Sequence, residues 1–423
     1  MTDENLMQDI NKILTSLSPE KRAILEKKLK NESSKYNSFP LSFAQKRLWF
    51  LAQFDPDSIE FNIPTAIELK GNLNFDALQY ALNEIEKRHE ILRTQISTVD
   101  DQPIQVIKSA SGIVIDKLKI CDTSSENEIE TNFKEIIKNK CRQRFSLSKD
   151  KLFDITLIDI SENRTILLLV MHHIITDGWS VGVFIKELSL LYDSYLGGNH
   201  KYTLPELSIQ YADYAKWQAE WINSKKFKNK LQFWIEYLAD AKHTLELPVD
   251  FNLDKPKTNE AGSLTSIIPK NKAVNIREYC ASEHITNFMF FAAIINVFLS
   301  KYSSQKDIII GIPVANRQKK ETQNLIGFFV NVVLLRSKIS YDISFNDFIV
   351  DVRKNILDVL EHEDIPFELL VEELQPERNL NSTPLFRVMY SYATNVNAKL
   401  ELAGIDLAKV DIDFKVAQYD LTF

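Results

Sequence analysis

Two apolar runs and the helical pattern that follows them form the clearest unit in this chain. Residues 152–161 (LFDITLIDIS) and 165–173 (TILLLVMHH) are separated only by a Glu-Asn-Arg turn, a pattern that is typical of a β-hairpin. The second run is apolar at nearly every position, which predicts a strand buried on both faces. From Val181 to Tyr195 the apolar residues then follow helical spacing. The segment between them, HHIITDG, is therefore predicted to turn from a central strand into an amphipathic helix.

The remaining pattern predicts two α/β lobes preceded by a short helical segment. Residues 7–30 have the spacing of two short helices, and residues 245–263 carry two prolines, a glycine and several charges, as expected of a connection between lobes. We therefore expect an N-terminal helical lead-in or docking element at 1–35, an N-terminal lobe at 36–245 and a C-terminal lobe at 246–423.

Helices and strands are expected to alternate in the second half as they do in the first. Helices are predicted within 211–241 and at 285–302, 344–362 and 366–374, and strands at 307–314, 328–339 and 385–394. No residue-level repeat joins the two halves. The similar order of elements therefore allows two related lobes without establishing them.

Composition and charge narrow the classes of function. The chain has 423 residues, too many for one ordinary core, and 44% of them are hydrophobic and 26% charged. Its net charge of −7 and scattered lysines offer no basic face for nucleic acid. The longest apolar run, residues 288–299, is shorter than the ~20 residues that a membrane span needs. Three distant cysteines without a C-x-x-C pair favour a reducing, cytoplasmic compartment.

The HHIITDG turn is the strongest candidate for chemistry, because it places His172, His173 and Asp177 at the rigid end of a strand. Neighbouring strand residues point to opposite faces, so the two imidazoles are not expected to share a metal ion. A nucleophilic serine is not favoured, because no G-x-S-x-G segment exists and Ser180 fits a helix N-cap. What remains is a histidine that acts as general base or orients a substrate. The alternative is a strand that ends in a turn with two incidental polar caps.

Further segments extend this turn into a family resemblance. HHIITDG matches the HHxxxDG signature of the condensation domains of nonribosomal peptide synthetases, which belong with the acyltransferases that resemble chloramphenicol acetyltransferase. Segments similar to the family's other motifs follow in the family's order from Leu41 onward: 41–54 (LSFAQKRLWFLAQF), 88–94 (RHEILRT), 211–218 (YADYAKWQ), 326–336 (IGFFVNVVLLR), 361–374 (EHEDIPFELLVEEL) and 381–392 (NSTPLFRVMYSY). By these ordered segments the chain is identified as a member of that family.

The resemblance implies an α/β fold of two chloramphenicol acetyltransferase-like lobes, arranged as a V-shaped pseudo-dimer with a tunnel between them. It implies an acyltransferase that forms a peptide bond between a donor acyl or peptidyl thioester and the α-amine of an acceptor aminoacyl thioester. Both substrates would arrive on the 4'-phosphopantetheine of upstream and downstream carrier domains, so the domain itself would bind no cofactor and no metal. An adenylation domain is expected C-terminal in the same polypeptide, and no nucleic acid or membrane partner is expected.

The resemblance also assigns roles within the turn. His173 matches the family's key residue, either as general base or as the group that orients the amine, and His172 is expected to point back into the fold. Asp177 matches a mainly structural residue that is paired with an arginine. Arg88 is the expected partner, with Arg93 as the second candidate. Gly178 would allow the substrate to approach closely.

Asn331, Trp179 and Ser42 are further candidates for the tunnel wall. For Asn331 the alternative is a strand asparagine that satisfies backbone groups. Two other functions stay open beside condensation: a stand-alone acyltransferase that makes an ester or amide, and a degenerate domain that only binds carrier domains. The two histidines exclude the heterocyclising relatives, in which aspartates replace them. The wording of the first, second and sixth motifs is most similar to the subtype that joins an L-donor to an L-acceptor.

The chain departs from the family pattern at three places. Val332 stands where the family usually has threonine, and the loop ahead of Pro384 is less charged than usual. The chain ends at 418–423 (QYDLTF), a segment that is an interior strand in the family. We therefore expect a truncated domain with an exposed sheet edge.

Overall fold

The computed structural model describes residues 37–120, 126–198, 204–241, 245–250, 260–376, 383–393, 402–414 and 416–423. The helical lead-in predicted at 1–35 lies outside these residues. The described helices, numbered in chain order, are α1 (Phe43–Phe54), α2 (Phe75–Arg88), α3 (Glu126–Cys141), α4 (Gly178–Leu196), α5 (Tyr211–Trp221), α6 (Lys225–Leu238), α7 (Lys270–Ser282), α8 (Asn287–Ser303), α9 (Phe345–Glu361) and α10 (Phe367–Leu374). The described strands are β1 (Ser38–Pro40), β2 (Asn62–Lys70), β3 (Thr94–Val99), β4 (Gln102–Ile107), β5 (Ile115–Lys119), β6 (Phe153–Ser161), β7 (Arg164–His172), β8 (Asp307–Val314), β9 (Asn331–Lys338), β10 (Val388–Met389), β11 (Asp406–Val410) and β12 (Leu421–Thr422).

A five-stranded sheet with the order β11–β2–β7–β6–β5 forms the centre of the first lobe. The predicted hairpin is present, since β6 and β7 pair antiparallel. Leu82 of α2 and Leu188 of α4 lie against Leu167 and Leu169 of β7, while α3 also contacts β7. This burial explains why β7 reads as a continuous apolar run instead of an alternating one.

The second lobe is built on a four-stranded sheet with the order β12–β10–β8–β9, and β8 pairs antiparallel with β9. Helices α8 and α9 contribute to the core on this sheet. Gly311 lies in β8 directly beneath the ring of Phe386, and a Cβ at this position would come within 2.5 Å of that ring. The close packing of the two elements therefore requires glycine here.

Short polar residues begin several of the helices. Ser42, Asn74, Ser224, Thr286 and Ser344 precede their helices in extended conformation, and each side chain accepts a hydrogen bond from a backbone N–H of the first turn. These caps satisfy backbone donors that have no partner within the helix.

The later part of the chain returns to the first lobe. Strand β11 pairs antiparallel with β2 and completes the first sheet, and Leu325, Ile326, Phe328 and Phe329 contribute to the core of the first lobe. Gly71 has φ 145°, and a Cβ there would lie 2.5 Å from the carbonyl of Gly404. The lobes are thus joined by more than the connection near 245, and the boundary at 245/246 stays a prediction.

Two of the predicted strands differ in extent. Within the described part of 385–394 only Val388–Met389 is strand, and Leu385 cannot begin it because its left-handed φ of 70° does not fit a strand. Strand β9 begins at Asn331, after a segment that crosses between the lobes. Among the described residues no single helix is long and apolar enough to cross a membrane; α7 and α8 pass that test only together, and they meet at a bend of 104°.

Candidate active site

The HHIITDG turn lies where β7 runs into α4. The backbone N–H of His173 donates to the Phe61 carbonyl at 2.7 Å, which extends the pairing of β7 with β2. A 3₁₀ turn covers His173–Ile175, and Asp177 then caps α4 by accepting a hydrogen bond from the Ser180 N–H at 2.7 Å. The prediction of Ser180 as the N-cap is therefore wrong, because the cap is Asp177. The end of β7 and the start of α4 hold the turn from both sides.

His173 is half-buried, and one nitrogen of its ring is fixed by the turn itself. Nδ1 lies 2.7 Å from the Thr176 carbonyl. A carbonyl only accepts, so Nδ1 carries the proton and Nε2 is the basic nitrogen of the neutral ring. Burial lowers the pKa of His173, and the Thr176 carbonyl and the Asp177 carboxylate oppose that shift. The imidazole is therefore neutral at neutral pH and able to accept a proton at Nε2.

His172 lies inside the first lobe. It is 5% exposed, its ring lies near Phe61 and Phe145, and its Nδ1 accepts a hydrogen bond from the Ile174 N–H. Burial, together with repulsion from His173 when that ring is protonated, lowers the pKa of His172 to about 3. The two imidazoles therefore have different environments, as strand alternation predicts. Among the described residues no group of three His, Cys, Asp or Glu side chains is arranged to hold a metal ion.

Asp177 is paired with Arg317, a residue of the second lobe. The Arg317 Nη2 donates to the two carboxylate oxygens of Asp177 at 3.1 and 3.3 Å and to Ser180 Oγ at 2.6 Å. Its Nη1 donates to the carbonyls of Thr322 and Leu325. Asp177 is 2% and Arg317 5% exposed, so the pair lies in the low-dielectric region between the lobes.

The predicted partners Arg88 and Arg93 are therefore wrong. Arg88 lies at the end of α2, where its Nε donates to Glu187 of α4 at 2.9 Å. The second oxygen of Glu187 accepts from His89 Nε2 at 2.8 Å. Arg93 donates to the Lys108 carbonyl and to a carboxylate of its own turn. Glu187 is therefore the carboxylate that pairs with Arg88, and Asp177 pairs with the arginine of the second lobe.

Segment 327–329 is held against the turn by backbone contacts on each residue. Ser180 Oγ donates to the Gly327 carbonyl at 2.8 Å and accepts from the Gly327 N–H at 3.0 Å. The Phe328 carbonyl accepts from the Tyr211 hydroxyl at 2.7 Å, and the Phe329 N–H donates to Asp177 at 3.0 Å. The Phe328 ring packs on the His173 imidazole with a centroid distance of 4.5 Å. Both lobes thus supply the surroundings of His173.

Gly178 and Trp179 lie on the open side of the turn. Gly178 does not have a left-handed φ, and no atom lies within 4 Å of the place where a Cβ would stand. The glycine is therefore not needed for backbone freedom, and the space in front of it is open. Trp179 is 48% exposed and donates to the Gln323 carbonyl at 2.9 Å, so it spans the lobes at the surface.

Ser42 and Asn331 line a common small cavity of about 10 Å³ between the lobes, and Trp179 is not among its described lining residues. The wall also includes Phe328 and Glu368. Burial raises the pKa of Glu368, and the charge of Arg47 offsets only part of that shift. The amide of Asn331 donates to the carbonyls of residues 363 and 365 and accepts from the N–H of residue 367. This is the backbone-satisfying alternative for Asn331, although the residue also lines the cavity.

Sequence patterns did not reveal Arg317 or Tyr211 as residues of the site. Arg317 follows a buried strand, in the loop after β8, and only that position after a strand end could have indicated it. Tyr211 is the first residue of a recognised segment, but on a helix rich in aromatic residues it is indistinguishable from a packing residue.

Comparison with known proteins shows the family to which the chain belongs. The family model described as "Condensation domain" matches residues 35–423. Malpinin synthetase of Mortierella alpina is 35% identical over 389 residues, which cover 92% of this chain and 5% of that protein. Gramicidin S synthase 2 of Brevibacillus brevis is 33% identical over 386 residues, which cover 91% of this chain and 8% of that protein.

Solved structures show the same fold. The X-domain from teicoplanin biosynthesis superposes with a TM-score of 0.82 at 23% identity, over 91% of this chain and 84% of that one. A four-domain nonribosomal peptide synthetase bound to AMP and glycine gives a TM-score of 0.79 at 19% identity, over 91% of this chain and 30% of that one. The predicted α/β class with two acetyltransferase-like lobes is confirmed.

Proposed function

Since the chain belongs to the condensation-domain family of amide-forming acyltransferases, we propose that it joins a donor acyl or peptidyl thioester to the α-amine of an acceptor aminoacyl thioester, with His173 beside the reacting atoms. The amine nitrogen attacks the thioester carbonyl, the new C–N bond forms, and the C–S bond of the tetrahedral species breaks. Nε2 of His173 takes the proton that the amine loses and returns it to the departing thiolate. Atoms and charges balance without a metal or redox partner.

One observation carries this assignment. The Thr176 carbonyl holds the proton of His173 on Nδ1 at 2.7 Å, and burial lowers the pKa of the ring. Both effects keep Nε2 unprotonated at neutral pH, which is what a general base or an acceptor for the amine requires. Gly178, with open space before it, would let the substrate approach this nitrogen. Asp177 supports the site as part of the pair between the lobes.

The substrates are proposed to arrive on 4'-phosphopantetheine arms of an upstream and a downstream carrier domain, in a polypeptide that also holds an adenylation domain. The chain spans 5% of the length of malpinin synthetase and 8% of gramicidin S synthase 2, so carriers and adenylation domain would lie in other parts of a larger assembly. The likeness to a four-domain synthetase supports such partners. We further propose an L-donor, an L-acceptor and a cytoplasmic location.

A condensation assay on loaded carriers tests the proposal. We would mix the domain with a donor and an acceptor carrier and measure dipeptidyl-pantetheine by mass spectrometry. His173→Asn keeps a polar side chain but cannot accept the proton, so turnover should fall about 10²–10⁴-fold, the usual contribution of general base catalysis. His284→Asn is the matched control, because His284 is exposed with φ 54°, which asparagine tolerates.

The other outcomes separate the alternatives. Product formed equally by the parent and His173→Asn would refute the role of His173. No dipeptide from any L- or D-donor, together with transfer from small soluble thioesters, would indicate a stand-alone acyltransferase. Binding of carriers without any transfer would indicate a domain that only docks them.

A further inference from the structure

Tyr211 holds segment 327–329 from two directions. Its hydroxyl lies 2.7 Å from the Phe328 carbonyl, and a Cβ on Gly327 would come within 2.1 Å of its ring carbon Cδ2. The side chain is 1% exposed. Burial raises the pKa of Tyr211 well above its ordinary value, so the hydroxyl keeps its proton.

The direction of this hydrogen bond follows from its partners. The Phe328 carbonyl only accepts, so the Tyr211 O–H donates to it. Ser42 Oγ lies 2.8 Å from the same hydroxyl and therefore donates to the tyrosine oxygen. The resulting chain runs from α1 through Tyr211 to Phe328, and each bond polarises the next.

Phe328 connects this chain to His173. Its ring packs on the imidazole at 4.5 Å with an interplanar angle of 52°. The hydrogen bond from Nδ1 to Thr176 fixes one edge of the imidazole but still allows the ring to tilt about that bond. The Phe328 ring restricts the tilt, so the direction in which Nε2 points depends on where Phe328 is held.

We propose that Tyr211 is a positioning residue for condensation, which fixes the Phe328 ring against His173 through its hydroxyl bond to the Phe328 carbonyl. Ser180 and Asp177 hold the residues on either side, at Gly327 and Phe329. They leave the Phe328 carbonyl to Tyr211. The inference rests on the proposed role of His173.

Tyr211→Phe tests the proposal, because it removes the hydroxyl and keeps the ring that covers Gly327. Tyr237→Phe is the matched control: this partly buried hydroxyl also makes two hydrogen bonds, to the backbone N–H and carbonyl of Arg336 in the second lobe. In the carrier assay we expect kcat to fall about tenfold in Tyr211→Phe, because small misplacements at a reacting centre are costly. KM for the acceptor carrier should stay within about twofold in both variants. Equal kcat in the two variants would overturn the proposal.

A second measurement needs no activity. We would record the imidazole ¹⁵N resonances of His173 by NMR, assigned with His173→Asn, over a pH titration. If Phe328 loosens, water reaches the ring, and the titration midpoint of His173 should rise in Tyr211→Phe but not in Tyr237→Phe. The charged groups that act on this imidazole, Asp177 and Arg47, are the same in both variants. Unchanged His173 resonances would refute positioning even if kcat fell, and an inactive parent would refute the proposed function while this comparison still decided the role of Tyr211.

Discussion

Arg317→Met should destabilise the protein because it leaves the Asp177 carboxylate buried without its cation. Asp177 is 2% exposed, and breaking a buried ion pair by removing one partner costs about 3–5 kcal/mol. The carboxylate would keep two donors, the N–H groups of Ser180 and Phe329. Because these two donors remain, we expect a loss at the lower end of that range, about 3 kcal/mol in the free energy of unfolding.

The reciprocal change and the double variant sharpen the test. Asp177→Asn leaves the Arg317 guanidinium with Ser180 and two carbonyls, but the new amide NH₂ must face another donor. We expect a loss of about 3 kcal/mol here too. In the double variant neither charge is buried alone, so the total loss should be smaller than the sum of the single losses by about 1–3 kcal/mol, as for contacting residues.

Urea unfolding followed by circular dichroism measures these losses, provided that the slope of free energy against urea stays constant among the variants. Glu84→Gln is the control, since the Glu84–Lys87 pair on α2 lies at the surface, with Lys87 60% and Glu84 31% exposed, and should contribute less than about 0.5 kcal/mol. Losses that add within about 0.5 kcal/mol would refute the coupling. A loss below about 1 kcal/mol in either single variant would show that the pair is not buried as the structure describes it.

Two further predictions concern the turn itself. Burial holds the pKa of His172 at about 3, below its ordinary 6.5. Between these two pH values His172 gains a proton only in the unfolded chain, so the stability of the folded protein falls as the pH drops below 6.5. Between pH 7.5 and 5 the parent should lose about 2 kcal/mol more than His172→Asn in urea unfolding, and equal losses would contradict the burial argument. Gly178→Ala should fold normally, because its Cβ would meet nothing within 4 Å, but condensation should slow at least about tenfold if substrate approaches there. Gly182→Ala, one turn further along α4 and equally open, is the control in the carrier assay, and equal rates would contradict this approach route.

The sequence was sufficient for those parts of the molecule that depend on local pattern. The hairpin β6–β7 and the helix α4 follow from runs of apolar residues and helical spacing, and strand β8 appears at the predicted bounds, Asp307–Val314. The conformation of these elements follows from the propensity and burial of their own residues. Strand β10 was overestimated, because the buried apolar run around it was taken as one strand, whereas Leu385 has a left-handed φ and only Val388–Met389 is strand.

The partner of Asp177 was out of reach for a physical reason. Arg317 lies 140 residues away in sequence, and no local spacing relates the two. The choice of Arg88 relied on a motif that does contain a structural arginine, but the carboxylate it serves is Glu187, on the same helix that Asp177 caps. Charge alone would allow either pairing, because one buried acid caps α4, another lies within it, and the two arginines come from different lobes. Only the packing of α2 against α4 decides between them.

The consequence for the site is that His173 belongs to the first lobe by sequence but depends on both lobes for its surroundings. Its hydrogen bond to Thr176 is local, whereas its contact with Phe328 depends on how segment 327–329 is seated by Ser180, Asp177 and Tyr211. A change that shifts the second lobe relative to the first would therefore act on the imidazole without touching the HHIITDG turn. The buried Asp177–Arg317 pair resists such a shift, because separating the lobes there would leave each of the two charges without its partner. This makes the same contact responsible for stability and for the geometry of the base, so variants at the pair should lose condensation activity even where they remain folded.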